Sequence, residues 1–107
     1  MEMSNFKNTT ITKEANVYFD GKVISYTLSF EDGSKKTLGV MQIGKYEFNT
    51  QAKEIIEITS GEMKVLLPNE TIWKDLKGGM TFEVPANSSF KLEVNQIINY
   101  CCSYIEE

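Results

Sequence analysis

Apolar residues in this chain recur at every second position, in short segments closed off by Gly, Pro, Asn and Asp, and nowhere at the three- and four-residue spacing that lines one side of a helix. Two-residue periodicity belongs to strands, whose successive side chains point to opposite faces. Ile24, Tyr26, Leu28 and Phe30 share one face of such a segment and Val23, Ser25, Thr27 and Ser29 the other, which reads as a half-buried strand; Asp32 and Gly33 then supply a reversal. Residues 37 to 42 form a second strand, and after a turn at Gly44 a third carries Tyr46, Phe48 and Thr50 on one side. The next places Glu54, Ile56, Ile58 and Ser60 on one face and ends at Gly61, and residues 63 to 67 follow, stopped by Pro68 and Asn69. Residues 72 to 76, 80 to 84, 90 to 94 and 97 to 105 complete about nine short antiparallel strands with little or no helix.

Many short strands leave many unpaired edges, which are hidden by closing the sheet or stacking two sheets. The expected fold is therefore all-β, a single sandwich or barrel over residues 15 to 107, with residues 1 to 14 as an N-terminal arm or edge strand. A chain of 107 residues has room for one core. No apolar run approaches the roughly 18 residues that cross a bilayer, and the start lacks the basic and apolar segments of a secretory signal. No membrane partner and a cytoplasmic location are the expectations.

The absences narrow the chemistry. There is no His, and all 11 basic residues are Lys, so there is no Arg. Imidazole catalysis and the commonest transition-metal ligand are removed together, leaving carboxylates, two thiols and tyrosines. Without Arg there is no bidentate phosphate fork. A net charge of −4 and a pI near 4.9 argue against a nucleic-acid partner, which needs a basic stripe, so a small solute or another protein is expected. The two cysteines, Cys101 and Cys102, are neighbours in an apolar strand and point to opposite faces, poorly placed to bridge or to chelate; they read as packing residues in a reducing compartment. Trp73 is out of phase with its neighbours and reads as packing or a subunit contact, with a homodimer as the expected assembly. Glu106 and Glu107 read as a solvated end.

Two spacings point to one barrel family. Glu54 followed by Gly61 matches the tail of the first cupin motif, and Gly79, Pro85, Asn87 and Phe90 stand where the second motif has Gly, Pro, Gly and a metal-binding His. Asn87 suits the Gly position because Asn tolerates a left-handed turn. The chain thus resembles a cupin, with Phe48, Thr50 and Phe90 at the three His positions. One carboxylate between phenyl rings does not hold a first-row metal, so a metal-free barrel without cofactor is expected, and a metal-dependent dioxygenase or isomerase is excluded.

The likeness extends to a narrower group. Residues 16 to 23, Gly39, Val40 and Met41, Gly44, Tyr46, Phe48, Thr50, Ser60 and Gly61, residues 65 to 68, residues 82 to 90, and the closing Tyr100, Cys102 and Tyr104 are similar to the small pyrimidine/purine nucleoside phosphorylase family. That resemblance implies a cupin-fold enzyme using inorganic phosphate to cleave many nucleosides to a free base and a pentose 1-phosphate. Ser103 stands where familiar members have an Arg. The other reading is a catalytically silent cupin that binds a metabolite or serves as an interaction module.

Phosphorolysis through an oxocarbenium-like state needs a phosphate site, a group facing the sugar's developing positive charge, and a donor for the departing base. Glu54 is the leading catalytic candidate, either as that facing charge or, with its pKa raised by burial, as the proton donor. Tyr46, through its hydroxyl, is the second. Met41, Phe48, Thr50, Ser60, Phe90, Tyr100 and Tyr104 are candidate substrate contacts, the rings because stacking accepts purines and pyrimidines alike and Thr50 and Ser60 as inward hydroxyls. For phosphate, the turn at Asn87, Ser88 and Ser89 offers consecutive backbone amides and two hydroxyls; Lys45 and Lys91 point outward by alternation.

Overall fold

A computed structural model describes residues 4–106; the first three residues of the expected arm and Glu107 of the expected tail lie outside the described residues. Eleven strands run in the order β1 (Thr10–Ile11), β2 (Asn16–Tyr18), β3 (Val23–Ser29), β4 (Lys35–Met41), β5 (Gly44–Asn49), β6 (Lys53–Ser60), β7 (Glu62–Leu66), β8 (Lys74–Lys77), β9 (Thr81–Val84), β10 (Ser89–Val94) and β11 (Ile98–Ile105). The nine strands from β3 onward are those the alternation marks. β1 and β2 are additions of two and three residues, too short to show a period. The one helical element among the described residues is a 3-10 turn at Phe19–Gly21.

All pairings are antiparallel. They build a seven-stranded sheet ordered β1-β3-β4-β11-β6-β9, with β2 also on β3, and a four-stranded sheet ordered β5-β10-β7-β8. The two sheets are not hydrogen-bonded into a closed barrel; they face each other as a jelly-roll-like sandwich. The larger sheet contributes Val23, Met41, Ile56, Ile58, Val84 and Ile98 to the core and the smaller one Met63, Val65, Leu76, Leu92 and Val94. No helix is long and apolar enough to cross a membrane among the described residues.

Two local departures from plain alternation matter for the site. On β3 the polar face turns inward: Val23 and Ser25 are buried while Ile24 and Tyr26 are 37% and 45% exposed. Leu28 is buried on the outer face instead, at the end of the strand where β1 pairs with it and where Phe6 meets Phe30 edge-on at 5.3 Å. On β6 the register against β11 passes from Tyr100↔Ile58 to Asn99↔Ser60, so Thr59 is a bulged residue. A one-residue slip exchanges faces. Ser60 therefore does not join Glu54, Ile56 and Ile58; it is exposed beside Asn99, whose side-chain amide donates to its hydroxyl at 2.7 Å.

Between β2 and β3 the chain reverses through three successive left-handed residues, Phe19, Asp20 and Gly21 at φ 52°, 55° and 90°. Such a conformation is costly for an aromatic residue. It folds the Phe19 ring back onto Tyr46 and Phe48, with centroids 4.9 and 5.3 Å away, and this packing holds the turn.

Candidate active site

Side chains from both sheets line a cavity of about 150 Å³. From the larger sheet it is lined by Ser25 on β3, Met41 on β4, Glu54 and Ile56 on β6, Phe82 on β9, and Tyr100, Cys102 and Tyr104 on β11. Phe48 and Asn49 on β5 and Phe90 and Leu92 on β10 close the opposite wall, and Tyr18 stands at the entrance. Outside lies an open vestibule of about 860 Å³ bordered by the turn at Asp32, Gly33 and Ser34 together with Lys35, Gln51 and Glu106. Tyr18, Asn49, Glu54 and Tyr104 line both spaces and so form the neck between them.

The inner wall is aromatic for a reason of register. Phe48 and Phe90 are direct cross-strand partners, and their rings stack with centroids 5.8 Å apart and 26° between planes. Phe82 meets Phe90 edge-on at 6.1 Å, and Tyr18 meets Phe48 edge-on at 6.4 Å. Gly39 is required on the facing sheet: a Cβ there would lie 2.6 Å from the Tyr100 hydroxyl and 2.7 Å from the Ile24 carbonyl oxygen. Its absence lets the Tyr100 ring lie across β4 with its hydroxyl toward Ser25, and burial pushes that phenol up to about 12.

Glu54 is the one carboxylate in the cavity lining, and no lysine accompanies it there. Burial pushes its pKa above the ordinary value of 4.5, and a weaker opposing effect comes from the Cys102 thiol, whose sulfur donates to Oε1 at 3.5 Å. Burial and the neighbouring Glu54 charge together push Cys102 upward, so it stays a thiol and not a nucleophile. Burial likewise raises Tyr104, whose hydroxyl is 3.2 Å from Thr37 Oγ1.

Of the residues singled out from the sequence, Glu54, Met41, Phe48, Phe90, Tyr100 and Tyr104 converge here. The others do not. Tyr46 shares the inward face of β5 but lies nearer the β4–β5 turn, where its hydroxyl donates to the Gln42 carbonyl at 2.6 Å and its ring abuts Gly44; it lines neither space. Thr50 is buried but turned away, donating to the Pro85 carbonyl at 2.7 Å and accepting the Ser88 N–H at 3.0 Å. The turn proposed for phosphate is therefore already filled. The Ser88 amide is taken by Thr50, the Ser88 hydroxyl donates to the Ala86 carbonyl at 3.1 Å, and Ser89 and Asn87 are exposed away from the cavity, Asn87 in the left-handed conformation at φ 55°. Ser60 is lost to the β6 bulge. Ser103 points to the outer face, where Lys36 Nζ donates to its hydroxyl at 2.6 Å, so the residue at this position does not project into the cavity.

The role of Thr50 carries an expected result. Thr50→Val removes the partner of the part-buried Ser88 N–H, which costs about 1–3 kcal/mol. The melting temperature should fall by several degrees, with phosphate and nucleoside KM unchanged, as steady-state kinetics below the transition would read.

Besides the apolar Ile56, Phe82 and Leu92, four lining residues are not among the site candidates read from the sequence: Tyr18, Ser25, Asn49 and Cys102. Ser25 alone left a trace, because it sits on the polar face of a strand whose other face is apolar, and that face proves to be the inner one. The metal question is answered by the donor set. Phe48 and Phe90 offer no ligand atom, the Thr50 hydroxyl is committed to the Pro85 turn, and no group of three or more Cys, Asp or Glu side chains converges among the described residues. These residues do not fit a metal.

A family model described as pyrimidine/purine nucleoside phosphorylase matches residues 13–104. The chain belongs to that family. Relatives with the same name include one from Leptospira interrogans serogroup Icterohaemorrhagiae serovar copenhageni, 56% identical over 104 residues that cover 97% of this chain and 98% of its own. Another, from Geotalea uraniireducens, is 56% identical over 97% of this chain and 100% of its own. A solved structure of a protein of unknown function from Acinetobacter sp. ADP1 superposes with a TM-score of 0.92 at 41% identity, covering 94% of this chain and 98% of that one. A cupin superfamily protein from Desulfitobacterium hafniense DCB-2 superposes at 0.64 with 18% identity, over 87% and 84% of the two chains, and shares the fold.

Proposed function

We propose that this protein cleaves the N-glycosidic bond of both purine and pyrimidine nucleosides with inorganic phosphate. A phosphate oxygen bonds to the anomeric carbon, the C–N bond breaks with its electron pair leaving on the base, and the base takes up the proton that the attacking hydrogen phosphate gives up. The products are a free base and a pentose 1-phosphate. The observation that carries this reading is the position of Glu54, a lone carboxylate at the neck between an aromatic chamber and an open vestibule.

A base seated against Phe48 and Phe90 is held by stacking, which is indifferent to its hydrogen-bonding edge and supports broad specificity. The sugar then lies in the neck with its developing positive charge toward Glu54, which acts as a carboxylate. No lysine in the lining neutralises that charge, and the thiol at Oε1 is a donor to it. Phosphate approaches from the vestibule, whose lining holds one lysine, Lys35.

The test is base release from uridine, inosine and adenosine by purified protein, with and without phosphate, after chelator treatment. Release from all three that requires phosphate and survives EDTA is expected. Phosphate-independent release points to a hydrolase and no release to a binding module, and either result removes the reading.

A further inference from the structure

Glu54 is not oriented by its own strand alone. In the register of β6 and β11 it stands opposite Tyr104, with Ile56 opposite Cys102, and on the other side of β11 Thr37 of β4 stands opposite Cys102. Cross-strand neighbours on one face lie close enough for their side chains to meet. Three polar tips from β4 and β11 consequently run inward toward one carboxylate oxygen. Thr37 Oγ1 is 3.2 Å from the Tyr104 hydroxyl, that hydroxyl lies against the Cys102 sulfur, and the sulfur donates to Glu54 Oε1 at 3.5 Å. Thr37 and Cys102 are 6% and 3% exposed, so water does not replace these contacts.

We propose that Cys102 is a positioning residue: its S–H, backed by Tyr104, occupies Glu54 Oε1 and so turns the second carboxylate oxygen toward the reacting sugar. This rests on the role given to Glu54 above and goes beyond it, assigning that orientation to a side chain whose sequence context indicates only packing. A thiol suits the place because it is a small, apolar group that is cheap to bury and still carries one weak donor. A carboxylate free to rotate would spread its charge over several orientations, and misplacement on the ångström scale costs rate without costing affinity.

The consequence has a direction. The Cys102 hydrogen bond holds the Glu54 pKa down against burial, so deleting it lets that pKa rise, and activity that needs the carboxylate is lost at a higher pH. The other titratable groups facing Glu54 are Tyr100 and Tyr104 from β11 and Tyr18 from β2, with Asp32, Lys35 and Glu106 across the vestibule. Burial raises the Tyr100 and Tyr104 phenols, which stay neutral through the acidic range, and the vestibule groups line a space that residue 102 does not border.

Cys102→Ala, Cys102→Ser, Tyr104→Phe and Glu54→Gln are compared with the parent protein in two readouts: uridine phosphorolysis from pH 4.5 to 8, and carbon-13 titration of the Glu54 carboxyl without substrate. Cys102→Ala should lower kcat about three- to tenfold with nucleoside KM little changed, and should move both the acidic limb of kcat/KM and the Glu54 titration to higher pH. Cys102→Ser, which restores a donor, should return kcat to within about twofold and both titrations toward the parent. Tyr104→Phe keeps the ring and should shift Glu54 in the same direction as Cys102→Ala by a smaller amount. An unmoved Glu54 titration in Cys102→Ala, or equal losses in the alanine and serine variants, overturns the positioning role. A titration that moves while Glu54→Gln keeps parental turnover shows that the hydrogen bond exists but serves no reacting group; that result overturns the catalytic reading of Glu54 and the inference with it.

Discussion

Glu54→Gln is expected to lower kcat for phosphorolysis at least about tenfold, the scale lost when one electrostatic partner of a charged transition state is removed, while the melting temperature at pH 7 stays level or rises. The stability half follows from the pKa direction. Burial raises the native pKa of Glu54 above its ordinary value of 4.5. A carboxyl raised in the native state contributes stability that is fully present below the ordinary value and is lost as pH rises through the native one. Wherever Glu54 is ionised the protein therefore carries a strained charge, and an amide of the same shape does not. Melting curves from pH 4 to 8 should show the parent losing stability relative to Glu54→Gln as pH rises, and initial rates on the same samples should show the variant slow throughout. Unchanged turnover would remove Glu54 from the chemistry, and a large loss of melting temperature at pH 7 would show that it holds the fold instead.

Gly61→Ala should cost the most stability of any single methyl added to the chain. Gly61 joins β6 to β7 at φ +102°, a region that side-chain-bearing residues rarely adopt. Its position is also enclosed: a Cβ would collide with the Ile97 carbonyl oxygen and come 2.8 Å from Ile98 Cδ1. Backbone strain and overpacking together cost about 3 kcal/mol or more, or a fall of about 10–20 °C in a domain of this size. Gly79→Ala is the control, because Gly79 has φ +96° with nothing within 4 Å of its would-be Cβ and so carries strain alone. Calorimetry of the two variants separates the terms. Equal melting temperatures would mean that the β10–β11 turn moves aside and the collision costs nothing. In both variants kcat measured well below the transition should stay near the parental value, since neither glycine lines the cavity.

The candidate site was legible in part, and the pattern of success has a physical basis. Alternation gives each side chain's face, and a cavity between two sheets must be lined from inward faces. Alternation puts Phe48, Phe90, Glu54, Tyr100 and Tyr104 on such faces, and the likeness to the cupin motifs and the phosphorylase family singles them out among the inward residues. Alternation does not give position along the strand. Tyr46 and Thr50 share the inward face of β5 with Phe48, yet two residues in either direction carry them to the Gly44 turn and to the Pro85 turn, where their hydroxyls bond to backbone. Nor does it register a bulge, which is how Ser60 came to be placed inside. On β3 the usual rule that the apolar face is the buried one fails, because the inward face there carries Ser25 to the cavity wall while Ile24 and Tyr26 face outward.

From the amino-acid order alone came the all-β class, the nine principal strands, and the exclusion of imidazole and guanidinium chemistry. These depend on local periodicity and on which residue types exist at all, and both are properties of the chain before it folds. The tertiary structure decided that the sheets stack without closing, that the turn at residues 87–89 is filled by Thr50, and that Cys102 reaches Glu54 from 48 residues away. Those facts arise from cross-strand register between distant segments, and register is set by the packing of the whole domain.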